Sequence, residues 1–507
     1  MPNDQSLELL SLPSPSVTRL SQSAVQDTIQ YFDPDLITIP GPRDAAAYAQ
    51  VRDAAPDVFV IHPQLGRSGE HISHYRYSTD AGVREAPNTT SDPGMIDVLT
   101  VQNLDILPRL QSELETNTRN TEGRAATFLI LPQLSIEWNT TSLSTTLPGR
   151  EQLTAISNSL PEPVTVLAGE QPATYNHEWT AQSTQSSDTL PIVGLGAHNQ
   201  GSATVAQYSC TSRGTVAAEA VDASKFGLKA LHGVGASTAQ RLQQKECRTT
   251  QDVRNLSITE LAELPGIGPT RAEKIHGHAD VIESGEPLVL TNKTPIKTRG
   301  NQPPVCLDIE TDGLSPTIIW QFGVYDPASD THQAFIEKHN PKNPETVLEA
   351  FITWFIANHG NRTVLTWNGY GFDYPQIKQF LTQYCPEYLD AWDDVWTYDL
   401  YKWAVRDGNA LLPGRTNKLD HVARALGYEA AETGLTGAKT AAVYQEFMRN
   451  PDDPEREPDW ERHKQYCKDD CQALWHVYQA ITDAKRRDMT DSGTGGVDGQ
   501  QAGLTDF

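Results

Sequence analysis

The sequence predicts an α/β protein of several domains, and three observations lead there. Between residues 30 and 210, short apolar runs alternate with helical patterns, as in a parallel α/β layer. A helical stretch at 221–288 repeats itself without gaps at an offset of 33 residues. The segment 304–485 opens on an apolar strand, "PVCLDIE", that carries two carboxylates. A chain of 507 residues is long enough for about three cores. The expected division is an α/β domain of uncertain fold and unknown function at 1–215, an all-α domain at 221–288, a linker at 289–303, an α/β domain at 304–485 and a Gly/Asp/Gln-rich, disordered tail at 486–507.

In the first region "LITIP" (36–40), "VFVIHP" (58–63), "TFLILP" (127–132) and "VTVLAG" (164–169) are unbroken apolar runs, as buried strands require. "RDAAAYAQVRDAA" and "REQLTAISNSL" between them have helical spacing. "GLGAHNQG" (194–201) lacks the spacing of a nucleotide-binding loop. Because "SATVAQYSC" after it reads as a strand, a hairpin turn is expected there.

The repeat pairs "LHGVGASTAQRL" (231–242) with "LPGIGPTRAEKI" (264–275). Between them "SITE" sets Ser257 and Glu260 as a capping box that opens a helix. The pattern is helix, tight glycine turn, helix, twice over. Residues 221–300 carry eleven Lys/Arg against nine Asp/Glu, whereas the whole chain has 65 acidic and 40 basic residues and a net charge of −25. Lysine is scarce, and the first is Lys225. A halophilic protein in a high-salt cytoplasm has this acidic, Lys-poor surface, because dense carboxylates keep it hydrated. An acidic mesophile has the same balance, and composition leaves both open.

Six cysteines show no CxxC and no zinc-type Cys/His spacing, which fits free thiols in a reducing cytoplasm. The start, "MPNDQSLELL", lacks the pattern of a secretory signal. No apolar run approaches the ~20 residues of a membrane span. A cytoplasmic location without a membrane partner is expected.

The chemistry lies in the last region. In "VCLDIETDGL", Asp308 and Glu310 stand two apart and so share one face of a strand. In "TVLTWNGYGFDYP", a second strand runs into a loop that presents Asp373. "HKQYCKDDCQALWHVYQ" (463–479) reads as a helix. At 100° per residue Asp470 lies about 40° from Tyr466, inside the apolar stripe. Asp469 falls off that stripe and is expected in solvent, and Asp312 and Asp399 are expected to be surface or strand-end acids. Four carboxylates so placed repel one another unless a cation lies between them. Oxygen donors of this kind suit Mg²⁺ or Mn²⁺ rather than zinc.

"LDIETDGL", "NGYGFD" and Tyr466-x-x-x-Asp470 resemble the three exonuclease motifs of the DEDD superfamily, which has an RNase H-like fold. The tyrosine four residues before the last acid matches the DEDDy branch. Gln465 stands where the DEDDh branch has its histidine, and His463 has the wrong spacing. "NKLDHVARALG" (417–427) resembles the segment between the second and third motifs, and the nearest group is the YprB-like predicted exonucleases. Over residues 304–485 the resemblance implies a catalytic set of Asp308, Glu310, Asp373, Tyr466 and Asp470. In it the four acids hold two divalent metal ions, Mg²⁺ or Mn²⁺, and Tyr466 orients the attacking water. The repeat resembles a tandem helix-hairpin-helix domain, which implies sequence-independent DNA binding at Gly233, Gly235, Gly266 and Gly268, with Arg271 and Lys274 nearby. Together these imply a metal-dependent 3′→5′ exonuclease whose partner is DNA with a 3′ end. An RNA exonuclease, a structure-specific endonuclease and an inactive nucleic-acid-binding protein are the alternatives.

Overall fold

The computed structural model describes residues 6–63, 71–78, 82–85, 94–116, 123–139, 144–180, 189–197, 203–295, 302–431 and 433–486. It divides into two compact units, Met1–Ala279 and Asp280–Phe507.

In the first unit the four foreseen apolar runs form the strands Leu36–Thr38, Phe59–Ile61, Arg124–Leu131 and Val164–Ala168. They fall into two sheets rather than one layer. In one sheet, Ser6–Ser11, Leu36–Thr38 and Phe59–Ile61 run parallel, and Thr204–Thr211 joins antiparallel beside Ser6–Ser11. In the other, Met95–Val101, Arg124–Leu131, Val164–Ala168 and Thr189–Gly194 are parallel. Leu7, Leu9 and Leu36 of the first sheet meet Ile96, Val98, Phe128 and Ile130 of the second in one core. Helices Gln22–Phe32 and Ala45–Ala54 back the first sheet, and Leu107–Glu115 and Arg150–Ser159 back the second. Strands covered on both faces must be apolar throughout, which is why these runs do not alternate.

The segment at 194–201 is a correction. Val193 pairs with Leu167 and Tyr208 with Leu9, so the two strands belong to different sheets and the connection is a crossover, not a hairpin. Local sequence shows a strand, a break and a strand; distant partners decide which sheet each joins. Residues 198–202 lie outside those described.

The repeat folds as foreseen into helices Ala236–Gln244 and Pro269–Ser284, each following a glycine turn, with Thr250–Asn255 and Ile258–Ala262 between them. Ser257 and Glu260 form the reciprocal capping box. Gly233 (φ 73°) and Gly266 (φ 79°) take the left-handed conformation that strains any residue with a Cβ.

The main sheet of the second unit has five strands among the described residues: β1 (Val305–Thr311), β2 (Ile319–Asp326), β3 (Thr331–Ile336), β4 (Thr363–Thr366) and β5 (Trp396–Asp399). Their order is β3-β2-β1-β4-β5, with β1 to β3 antiparallel and β4 and β5 parallel to β1. This is the arrangement that an RNase H-like fold implies. Its main helices are α1 (Pro344–His359), α2 (Asp373–Tyr384), α3 (Leu419–Ala425), α4 (Gly437–Arg449) and α5 (Trp460–Asp483). Strand alternation sends Val305, Leu307 and Ile309 into the core with α1 and α2, where Phe351, Phe355 and Ile377 lie. Cys306 turns the other way, into the core with Cys471, Leu474 and Val477 of α5. Asp308 and Glu310 therefore share the α5 side.

The start of the expected linker is packed: Val289 and Leu290 are buried, and Leu288–Val289 pairs with Ala410–Leu411 and Lys485–Arg486. Residues 296–301 and the tail from 487 lie outside the described residues. Among the described residues no helix is long and apolar enough to cross a membrane.

Asp97, wholly buried on Met95–Val101, accepts from Arg76 Nε at 2.9 Å and lies 2.7 Å from His74 Nε2. Its removal would take the shared carboxylate from a buried cluster of Arg76, Arg124 and His74. Asp97→Ala is expected to destabilise the first unit by about 3–5 kcal/mol. Asp393→Ala, which breaks an exposed 2.7 Å pair with Lys378, should cost at most about 1 kcal/mol. Denaturant unfolding of the full chain, with the transition of each unit followed separately, checks both values.

Candidate metal centre and nucleic-acid interface

β1 presents Asp308 and Glu310 toward α5, and α5 returns Tyr466 and Asp470 one turn apart. Carboxylate oxygens of Asp308, Glu310 and Asp470 lie within 4.8 Å of one another. Glu310 is buried, while Asp308 and Asp470 are half-buried. Asp373 opens α2, and its carboxylate accepts from its own backbone N–H and that of Ile309. β1 pairs with β4 only at Val305 and Cys306, so its later half keeps a free edge on that side. Asp373 lies outside the trio, but its charge helps to push up the Asp308 and Glu310 carboxyls.

Burial first, then the neighbouring acids, hold Asp308 and Glu310 well above the ordinary carboxylate range. Burial raises Asp373 to about 7, helped by the charge of Asp399. Asp470 also rises to about 7, through burial and then the charge of Asp420, against the opposing effect of the nearby Tyr466 hydroxyl. Burial and the same acids push the Tyr466 phenol far up, so it stays protonated. A hard divalent cation fits this donor set: the trio is all oxygen, mutually repelling and removed from water.

Of the acids expected at the surface or at strand ends, Asp469 needs revision, while Asp399 ends β5 and Asp312 directly follows β1. Asp469 is buried, and its carboxylate accepts from Ala431 N at 3.2 Å, Gln465 Nε2 at 3.2 Å and Tyr428 Oη at 3.4 Å. The chain after α3 crosses that side of α5, giving the helix a second buried side that its own apolar stripe does not reveal. Asp399 is also buried; it accepts from Asn368 N at 3.0 Å, Tyr370 N at 3.1 Å and Lys402 N at 3.0 Å. It fastens the loop that leads to Asp373, in which Asn368 takes a left-handed φ of 64°. Asp312 is half-buried and closes the β1–β2 turn by accepting from Thr317 N at 2.8 Å. Asp420, exposed on α3, was not foreseen as part of the site, though its charge bears on Asp470 more than that of any other residue. The signal available was its place in "NKLDHVARALG", between the second and third motifs.

In the hairpin region, helix Ala236–Gln244 starts at Gly235 without a side-chain cap. Its first backbone bond is Ala239 N to Gly235 O, and the equivalent bond in the second hairpin is Ala272 N to Gly268 O. The N–H groups ahead of those bonds have no intrahelical partner. A Cβ at Gly235 or Gly268 would meet nothing within 4 Å, so both backbones are open to close approach. Arg271 donates to Gly266 O, Gly233 O and Thr238 Oγ1, and Arg241 donates to Pro265 O. These guanidinium groups brace one glycine turn against the other. Lys274 follows on the same helix, half-exposed.

Residues 305–482 match the family model of the RNase H superfamily, and residues 225–279 match that of the SAM-like helix-hairpin-helix tandem. No curated protein matches the chain. Among solved structures, the zinc-bound form of an E. coli ExoI–ssDNA complex shares 18% identity over 30% of this chain and 42% of that one, with a TM-score of 0.21. A product-bound exonuclease I shares 20% identity over 30% of this chain and 45% of that one, with a TM-score of 0.19. The matched part spans less than half of each of those chains. Similarity at that level supports no inference about activity.

Saturating Mg²⁺ or Mn²⁺ is expected to raise the thermal midpoint of the second unit, because cation binding relieves the carboxylate repulsion. Asp470→Asn should abolish that rise. Asp469→Asn should keep it while lowering cation-free stability by about 1–3 kcal/mol, the cost of disturbing a buried acceptor. Differential scanning calorimetry with and without the cation reads both effects.

Proposed function

We propose that this protein is a metal-dependent 3′→5′ exonuclease of the DEDDy type, close to the YprB-like group, acting on DNA held without regard to sequence by the helix-hairpin-helix region. The observation that carries the reading is the convergence of Asp308, Glu310 and Asp470 oxygens within 4.8 Å, with Tyr466 one helical turn before the last of them. Asp308, Glu310, Asp373 and Asp470 are the residues that would hold two ions, Mg²⁺ or Mn²⁺. Bound there, such ions would favour ionisation of a water nucleophile and offset charge on the phosphodiester.

The chain's own groups then have distinct tasks. Tyr466 keeps its proton and holds the water by its hydroxyl, one helical turn from Asp470. Asp399 fixes the loop from which Asp373 reaches the free edge of β1. The carboxylates themselves are poor nucleophiles toward an anionic diester, so water is the attacking group. Polarity and the preference for DNA rest on the family resemblance. In the hairpins the open N–H groups after Gly235 and Gly268 would take backbone phosphates, which carry no base information.

Digestion of end-labelled linear DNA, circular single-stranded DNA and RNA tests the reading. Label at the 3′ end should be released first, the circle should resist, and a chelator or Asp308→Ala should abolish turnover in a folded protein. Cleaved circles, or full activity of Asp308→Ala, would contradict it. Tyr466→Phe should keep cation affinity and lose roughly 10²–10⁴ in rate. Gly268→Val should weaken binding to long DNA, measured by anisotropy, and spare turnover of a short oligonucleotide; equal loss of both would mean misfolding.

A further inference from the structure

Beside the carboxylates, between the sheet and α5, lie three donors of different chemistry. Cys467 and Cys471 sit one turn apart on α5 with no solvent exposure, and His332 comes from β3. Their sulfurs and a ring nitrogen lie within 4.8 Å of one another. Nε2 of His332 is buried and has no hydrogen-bond partner among the described residues. A buried polar atom is rarely left so unless something meets it.

β2 places Gly323 against this cluster. A Cβ there would strike Cys467 Sγ, lie 3.0 Å from His332 Nε2 and lie 3.5 Å from Cys471 Sγ. The glycine thus lets Cys467 Sγ pack close against the β2 backbone, beside the other two donors. Its φ is not left-handed, so backbone conformation does not demand glycine here.

We propose that Cys467, Cys471 and His332 form a second metal site, for a soft divalent cation of the Zn²⁺ class, separate from the oxygen-ligand site beside it. Two thiolates and an imidazole form a donor set that zinc prefers and Mg²⁺ does not. Two thiolates also neutralise a dication, so the filled site adds no net charge next to the acids. Asp308 Oδ2, 3.3 Å from Cys467 Sγ, belongs to the neighbouring oxygen site, which leaves the fourth position to water. Each cysteine directly follows a residue of the proposed reaction site, Tyr466 or Asp470. An ion that ties α5 to β3 therefore fixes the rotation of the helix that aims both. The inference stands on the donor geometry and holds whether or not the carboxylates carry out hydrolysis.

Cobalt is the probe. Reduced, metal-stripped full-length protein titrated with Co²⁺ should gain thiolate-to-cobalt charge-transfer absorption that saturates at one equivalent. Zn²⁺ should abolish the band and a large excess of Mg²⁺ should not. Cys471→Ser and His332→Ala should each weaken Co²⁺ binding at least tenfold with unchanged circular dichroism, and Asp373→Ala should keep the band. Absence of the band from the wild-type chain overturns the proposal without reference to any variant. So does a band that persists in the Cys467→Ser/Cys471→Ser double variant. Because hydrolysis is not the readout, loss of the nuclease reading alone would leave the cobalt result intact.

Discussion

The repulsion among carboxylates gathered on one buried face is the constraint on which the second unit depends. Two charges no more than 4.8 Å apart repel by about 3.5 kcal/mol at an effective dielectric near 20, and three such pairs arise in the trio alone. Without a cation the chain answers by keeping protons on these groups, which is why burial and neighbouring charge raise all four acids. A divalent cation answers the same repulsion without protons. The site is thus a place where folding leaves strain that binding can relieve.

The surrounding elements hold that strain in place. β1 is central in its sheet, and its alternation sends apolar residues to α1 and α2 and carboxylates to α5. The early end of its pairing with β4 opens the edge where Asp373 enters. Asp399 and Asp469 are carboxylates of another sort: each is buried and tied by directed hydrogen bonds, Asp399 by the N–H groups of Asn368, Tyr370 and Lys402 and Asp469 by Ala431 N, Gln465 Nε2 and Tyr428 Oη. One acid anchors the loop before Asp373, and the other anchors the chain that crosses α5. The two kinds of acid differ in their partners.

That difference marks where the sequence was legible. Period-two spacing correctly put Asp308 and Glu310 on one face, and period-3.6 spacing put Asp470 near them. The capping box at Ser257 and the glycine turns were equally local and equally readable. Asp469 misled because helical phase reports only a helix's own apolar stripe, whereas Tyr428 and Ala431 arrive from another segment. The crossover near residue 195 misled for the same reason, since sheet membership is set by partners far along the chain. The His332–Cys467–Cys471 cluster escaped because its donors are spread over 140 residues and resemble no contiguous zinc pattern. Signals confined to a few turns of chain survive in sequence; signals made by packing do not.

The central claim is that the carboxylates of β1 and α5 converge in order to hold cations. Crystals of the full chain grown with Mn²⁺, measured at the manganese absorption edge, test it most directly. The account predicts anomalous scattering peaks at ligand distance from Asp308, Glu310 and Asp470, lost when Asp470 is replaced by Asn. Saturating Mn²⁺ with no peak among those three side chains would contradict it.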